Sequence, residues 1–337
     1  MAQRQDIRLS IPSKGVLADS ALNLLADCGL PVAKTNPRQY EARMPALPAL
    51  TVLFQRPADI VVSVSDGSVD FGITGLDVVA ERRPTDDKSL LLLHDALDFG
   101  HCRLALAVPE GWSAVRTLAG LAAHAHALGR PLRVATKFPR LTADYLQRNA
   151  ISPFTLISVE GALEAAPAIG YADIISDLVS SGQTLRDNRL YALDDGAILH
   201  SQAVLLANSS ALRTRPAVLS TAQVLLEYIE AHLRATEHVA IFANMRGESP
   251  QAVAQRMFTQ NILGGLQGPT VSPVVVRSGN GNWHAVHIIV RKDHLFQAVT
   301  ELRSIGGSGV VVSPVSYLFE EEPARYRALM EAVRDDS

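Results

Sequence analysis

A chain of 337 residues exceeds one average domain and allows two or three, each large enough to bury its own core. Hydrophobic residues make up 47% and charged residues 19%, and a formal net charge of -3 leaves no basic surplus for a nucleic-acid partner and no acidic tract for a disordered tail. No apolar run approaches the roughly 18 residues of a membrane span, the first residues lack the apolar core of a secretory signal, and Cys28 and Cys102 lack metal-ligand spacing, so a cytoplasmic protein with buried free thiols is expected.

Ile7 to Ile11 alternates as a short strand, and Pro12-Ser13-Lys14-Gly15 then turns into Val16 to Ala26, where Leu17, Ala21, Leu24 and Leu25 recur at helical spacing. A second apolar strand, Leu50 to Phe54, runs into Arg56-Pro57-Ala58-Asp59-Ile60, and Asp66-Gly67 turns the chain into Val69 to Ile73. Strands alternating with helices predict a mostly parallel α/β sheet. The pattern restarts after Pro109, with helices at Leu118 to Leu128, Thr142 to Asn149 and Ala162 to Ala168, and strands at Arg133 to Thr136, Thr155 to Val159 and Asp173 to Leu178. Ala197 to Ala207 reads as one strand that returns to the first unit and makes it discontinuous, and Pro216 opens a long helix reaching Ala235.

From His238 the rhythm changes to strand Val239 to Asn244, helix Pro250 to Ile262, a hairpin of Thr270 to Val276 and Trp283 to Val290 around Ser278-Gly279-Asn280-Gly281, helix Leu295 to Ile305, and strand Gly309 to Ser313. That order, βαββαβ, is the split or ferredoxin-like arrangement. Glu320 to Arg334 reads as a charged, solvated terminal helix. The expected organisation is therefore a first domain of 1–105 with 196–235, a second of 106–195, a third of 236–320, and a helical tail at 321–337.

The most specific chemistry lies between Glu164 and Leu185. A strand carrying Asp177 leads into Ser180-Ser181-Gly182-Gln183-Thr184, which offers backbone N–H groups and hydroxyls to one phosphate, with Gly182 permitting close approach of the main chain. It is a phosphate cradle without a lysine. Asp177, four residues ahead of Ser181, is placed to hold ribose hydroxyls one sugar away from that phosphate. Taken by themselves these residues read equally as a helix cap and as an anion site.

The full pattern resembles the phosphoribosyl pyrophosphate signature of the ATP phosphoribosyltransferase family: Glu164, Gly170, Ala172, Asp173 and Asp177, then Ser181-Gly182-Gln183-Thr184-Leu185. Further stretches agree in order: Arg56-Pro57-x-Asp59-Ile60, Asp66-Gly67-x-x-Asp70-Phe71-Gly72-Ile73-Thr74-Gly75-x-Asp77, Asp98-Phe99-Gly100-x-Cys102-Arg103-Leu104 and Ala135-Thr136-Lys137-Phe138-Pro139. The likeness continues through Pro269-Thr270-Val271-Ser272-Pro273, Trp283-x-Ala285-Val286-His287 and Ile305-Gly306-Gly307-Ser308.

The resemblance implies an α/β enzyme of histidine biosynthesis, with a two-lobed catalytic core built like type II periplasmic binding proteins and a ferredoxin-like, ACT-like C-terminal domain. It implies that Ser180, Ser181, Gly182, Gln183 and Thr184 bind the 5′-phosphate, that Asp177 and Glu164 orient the ribose and its metal environment, and that Lys14 and Arg56 offset polyphosphate charge. Gly15, Gly75, Asp77 and Phe138 are implied on the nucleotide side. The partners implied are ATP and phosphoribosyl pyrophosphate, with Mg2+ held mostly by substrate; histidine and AMP are implied as inhibitors, and dimers and hexamers as assemblies. Asn244, Thr270 and Ser308 are the candidates for contacting histidine.

Bland readings stand beside these. Gly75 also reads as a turn glycine, Cys102 as core, and Lys137 and Arg140 as solvated cations as readily as pyrophosphate ligands. Two positions depart from the family pattern: Val16 where arginine is common, and Phe138 where tyrosine is common. A two-lobed binding or sensing protein without catalysis is the rival class, because the same architecture serves solute receptors. The Ser-Ser-Gly-Gln-Thr turn behind Asp177 argues against it.

Overall fold

Phe71 to Ile73 is buried on both faces, as the centre of a parallel sheet requires, while the alternating Ile7 to Ile11 buries its apolar residues Ile7, Leu9 and Ile11. The computed structural model describes residues 6–34, 36, 39–83, 88–159, 161–277 and 281–335. The chain begins β1 (Ile7–Pro12), α1 (Val16–Asp27), β2 (Glu41–Arg43), β3 (Leu50–Gln55), α2 (Pro57–Ser65), β4 (Phe71–Gly75), α3 (Leu76–Arg82), β5 (Leu90–His94). A second series follows: β6 (Cys102–Pro109), α4 (Leu118–Ala127), β7 (Leu132–Thr136), α5 (Pro139–Arg148), β8 (Phe154–Ser158), β9 (Ile174–Val179), α6 (Gln183–Asp187) and β10 (Leu190–Ser201). Then β11 (Ala203–Asn208) precedes α7 (Ser209–Thr214) and α8 (Pro216–Thr236).

These elements make two sheets, ordered β2-β3-β1-β4-β11-β5 and β10-β6-β9-β7-β8, each the centre of one lobe. In the first, β3, β1 and β4 run parallel while β11 pairs antiparallel with β4 and β5; in the second, β8, β7 and β9 run parallel. The chain crosses between sheets through 95–101 and again at Gln202. The crossovers are stitched side by side: Leu97 N–H donates to Ala203 O at 3.0 Å, Ala203 N–H to Phe99 O at 2.9 Å, and Asp98 N–H to Gln202 Oε1 at 3.1 Å.

Two sequence expectations change here. The strand expected over Ala197 to Ala207 is two strands in two sheets, broken at Gln202, because Ser201 pairs with Cys102 while Ala203 pairs with Gly75. The helix expected over Ala162 to Ala168 is a single 3-10 turn at Leu163–Ala165, since Pro167 has no N–H to extend it. No strand is expected from the sequence at β2, β5 or β6, although β5 opens on the four leucines Leu90 to Leu93.

The remaining chain gives β12 (His238–Arg246), α9 (Pro250–Phe258), β13 (Thr270–Pro273), β14 (Trp283–Arg291), α10 (Leu295–Ser304), β15 (Ser308–Pro314) and α11 (Ala324–Asp335). The sheet β13-β14-β12-β15 is antiparallel throughout and ferredoxin-like in order. Val253 and Met257 of α9 and Ala298 and Leu302 of α10 bury one of its faces. The expected hairpin turn at Ser278-Gly279-Asn280 lies outside the described residues.

Two compact units result, Met1–Gln223 with Arg325–Ser337, and Val224–Ala324. The division falls within α8 rather than at the expected 235/236, and α11 is not a solvated tail. Leu329 is buried, Ala328, Leu329 and Ala332 share an apolar groove with Leu91, Leu92 and Leu93 of β5, and Arg325 Nη2 meets Asp95 Oδ1 at 2.6 Å. Next to that pair, burial and then the Arg325 charge push the His94 imidazole down to about 4, and its Nδ1 accepts Ala96 N–H.

Candidate active site

Every candidate catalytic element sits at the carboxyl ends of parallel strands, where α/β sheets bind ligands. In the second lobe β9 is fixed at its start and carries the candidate Asp177 near its end. Asp173, its side chain 6% exposed, is held by Arg130 Nη1 at 2.6 Å, Arg130 Nη2 at 2.8 Å, Arg133 Nη2 at 2.8 Å and Arg133 N–H at 2.9 Å. Burial alone would raise its carboxyl, but these bonds and the Arg133 charge hold it well below the usual carboxylate range.

Four residues along, Asp177 is half-buried, and the desolvation pushes its carboxyl up from the ordinary value. The Leu178 N–H, bonded to Oδ1 at 2.8 Å, and the Lys137 charge pull it back down, while Glu164 pushes it up. Asp177, Lys137 and Glu164 thus share one electrostatic neighbourhood. Behind it runs a buried hydroxyl relay: Thr142 Oγ1 donates to Ser176 Oγ at 2.9 Å, Thr136 Oγ1 lies 3.3 Å from Thr142 Oγ1, and Phe138 N–H donates to Thr136 Oγ1 at 2.9 Å. The relay fixes the end of β7 against β9, with Lys137 and Asp177 each the next residue after the paired Thr136 and Ser176. Phe138 is only 7% exposed.

After Val179 the chain turns through exposed Ser180 and Ser181 into Gly182, whose φ of 72° and ψ of 6° lie in the left-handed region that a Cβ disfavours. Gln183 N–H reaches Ser181 Oγ at 3.3 Å, and Thr184 is exposed. The Gln183 side chain is engaged along α6, donating to Asp187 at 2.6 Å and accepting Arg186 Nη2 at 2.9 Å. A Cβ on Gly182 would stand 3.3 Å from Arg186 Nη1. This guanidinium places a cation beside the lysine-free turn. Sequence reading passed over Arg186, although four residues after Gly182 is the next position on the same helix face.

In the first lobe, Pro12 pairs with Gln55, so the turns that follow β1 and β3 are neighbours. Ser10 Oγ donates to Gln55 Oε1 at 2.6 Å, Gln55 Nε2 to Ser63 Oγ at 3.0 Å, and Ser13 N–H to Gln55 O at 2.8 Å. That places Lys14 and Arg56, both exposed, at one sheet edge, Lys14 ahead of α1 and Arg56 at the N-cap of α2. Gly15 has φ 80° and its Cβ would meet open space; Val16 beside it is 79% exposed.

Gly75 and Asp77 have a different setting from the rest. A Cβ on Gly75 would collide with the Asp77 carboxylate, so glycine is required by a close approach. Asp77, 4% exposed, accepts Ser201 Oγ–H at 2.6 Å while its N–H donates to Ser201 Oγ at 2.9 Å, which ties α3 to the crossover at Gln202. Burial, with Asp77 adding, also raises the Cys102 thiol.

In the second unit Asn244 pairs with Ala285 and Ser308, and Ser308 Oγ donates to Asn244 O at 3.2 Å, so these two candidates meet on the exposed sheet face. Thr270 stands two strands from Asn244, roughly 10 Å across the sheet, opposite His287. It lines a separate cavity of about 370 Å3 with His287, Arg234, Glu320, Leu266 and Phe319. Among the described residues no group of three or more His, Cys, Asp or Glu is placed to hold a metal ion, and no helix is long and apolar enough to cross a membrane.

A family profile described as ATP phosphoribosyltransferase matches residues 56–231, and one described as HisG, C-terminal domain, matches 235–317. ATP phosphoribosyltransferase 2, chloroplastic, of Arabidopsis thaliana is 45% identical over 97% of this chain and 80% of its own length. The ATP phosphoribosyltransferase of Halorubrum lacusprofundi is 35% identical over 93% of this chain and 99% of its own. Among solved structures, the ATP phosphoribosyl transferase (HisG:HisZ) complex from Thermotoga maritima superposes with a TM-score of 0.50 at 26% identity, covering 66% of this chain and 98% of that one. With two profiles covering both units and relatives alike along nearly its whole length, the chain belongs to the ATP phosphoribosyltransferase family, the enzymes of the first step of histidine biosynthesis.

Proposed function

We propose that the chain joins ATP and phosphoribosyl pyrophosphate between its two lobes, the lone pair of adenine N1 attacking C1 of the sugar as the bond from C1 to the pyrophosphate oxygen breaks. The observation that carries this assignment is the sequence of Lys137, Glu164 and Asp177 leading directly into the left-handed turn at Gly182. The turn amides, the hydroxyls of Ser180, Ser181 and Thr184, and the Arg186 guanidinium take the 5′-phosphate. Asp177, its carboxyl already raised by burial, and Glu164 lie where a cationic sugar forms, and favour it electrostatically. Lys14 and Arg56 at the facing sheet edge, with Lys137, offset the charge of the two polyanions. Adenine N1 brings its own electron pair, so no strong general base is required, and positioning supplies the larger part of the rate, on the order of 7 kcal/mol. Gly15, Gly75 and Phe138 shape the nucleotide side, with Asp77 acting through the crossover that it binds.

That no group of three or more His, Cys, Asp or Glu among the described residues is placed to hold a metal suits a divalent ion that arrives with the pyrophosphate; Mg2+ in that role would neutralise the leaving group. Feedback control by histidine is proposed at the paired Asn244 and Ser308, with AMP competing at the nucleotide side, in a homo-oligomer of dimers and hexamers. The compartment proposed is the cytoplasm. The test is the ultraviolet absorbance rise on mixing protein, magnesium, ATP and phosphoribosyl pyrophosphate with pyrophosphatase present. Asp177→Asn and Thr184→Val are expected to lower turnover by on the order of 100-fold or more with the fold intact; full activity in both variants would overturn the site.

A further inference from the structure

We propose that Glu81 is a positioning residue that latches the two lobes in the arrangement that accepts substrate; this rests on the reading that substrates bind between the lobes. Helix α5 of the second lobe begins at Pro139, which has no N–H, and its N-cap Phe138 has no side-chain acceptor, so the amides that open the helix have no partner within their own lobe. The acceptor comes from the other lobe. Glu81, near the end of α3, receives Arg140 N–H on Oε1 at 2.9 Å and Leu141 N–H on Oε2 at 3.0 Å, while its own carbonyl receives Arg140 Nε–H at 3.1 Å. The carboxylate also lies at the positive end of the α5 dipole, where negative charge is favoured. Arg140 is thereby turned toward Glu81 and Asp144, 3.6 Å from its Nη1, and does not serve as a free pyrophosphate ligand.

What makes the contact more than a cap is its place in the chain. Lys137 stands two residues before α5, its neighbour Phe138 held by the Thr136 hydroxyl, and the first turn of α3 holds Asp77, which is bound to Ser201 at the crossover. The Glu81 bonds therefore fix the start of α5, and Lys137 with it, to the lobe that carries Lys14 and Arg56. A rotation of one lobe about the crossovers breaks both carboxylate bonds together. Their loss leaves chemistry in the closed complex unaltered but lowers the fraction of free enzyme that is ready to bind, so apparent affinity falls by that fraction.

The experiment compares Glu81→Ala and Glu81→Gln with the parent in two measurements. In substrate-free protein, the distance distribution between labels on Asn23 of α1 and Gln147 of α5, both exposed, is read with noncanonical residues so that Cys28 and Cys102 stay untouched. It is expected to broaden toward longer separations in Glu81→Ala and by less in Glu81→Gln, whose carbonyl keeps one amide. Steady-state kinetics are expected to show KM for both substrates rising roughly tenfold in Glu81→Ala, with kcat changed by less than about twofold. An unchanged distribution in Glu81→Ala, or a fall in kcat at constant KM, would overturn the latch, and Glu81→Gln decides the matter should the alanine variant not fold. Because the distances are taken without substrate, a failure of the phosphate-site assignment leaves them untouched.

Discussion

Replacing Asp173 by asparagine removes the charge on which β9 is anchored while leaving the side chain's size unchanged. The carboxylate accepts four bonds of 2.6 to 2.9 Å from Arg130 and Arg133 at 6% exposure, and the amide nitrogen of asparagine would face guanidinium donors instead of accepting from them. A charge-assisted bond contributes roughly 1.5–3 kcal/mol, and breaking a buried pair costs about 3–5 kcal/mol. The partner arginines are 45% and 37% exposed and recover water, so the lower end, about 3 kcal/mol, is expected. For a unit of this size that is a fall in melting temperature of about 6–12 °C. The sign with pH follows from a native carboxyl held below its usual range: its stabilisation is complete above the unfolded value near pH 4 and is lost as pH falls through the native value. The gap between parent and variant in urea or thermal unfolding is therefore level from about pH 7 to pH 5 and narrows below pH 4. A gap under about 1 kcal/mol at neutral pH, or one that widens on acidification, would refute the reasoning.

Gly182→Ala forces a Cβ into left-handed backbone and against Arg186, at a strain of about 1–2 kcal/mol, and is expected to raise KM for phosphoribosyl pyrophosphate several-fold more than KM for ATP. Steady-state kinetics with each substrate varied in turn would show it, and equal KM shifts would count against a phosphate turn. Titration calorimetry with millimolar histidine is expected to give a saturable heat that Asn244→Ala abolishes. Histidine without heat on the parent protein removes the regulatory proposal.

What the sequence disclosed was local. The turn at Gly182 needs a left-handed residue, small hydroxyls and an acid a fixed distance upstream, and all of these are neighbours in the chain. The alternation of strands and helices and the βαββαβ order of the second unit are local patterns of the same kind. What stayed hidden depends on partners far apart in the chain. Nothing near Glu81 announces that its carboxylate caps a helix 58 positions later, and nothing near Asp77 points to Ser201 across the crossover. The run from Ala197 to Ala207 is broken only by the polar His200-Ser201-Gln202, and which sheet each half joins is decided by its pairing with β6 or β4. Asp173 was noticed as part of a signature, whereas its two arginines, 43 and 40 positions earlier, were not.

The return of α11 to β5 makes the four-stranded unit an insertion rather than an appendage: the polypeptide leaves through α8 and comes home at Arg325, beside Asp95 and the first crossover. A single protease cut in either connecting strand would then leave two fragments still associated through the Leu329 groove, and they would part only under denaturant. For the same reason any pull on α11 is felt at the joint between the lobes.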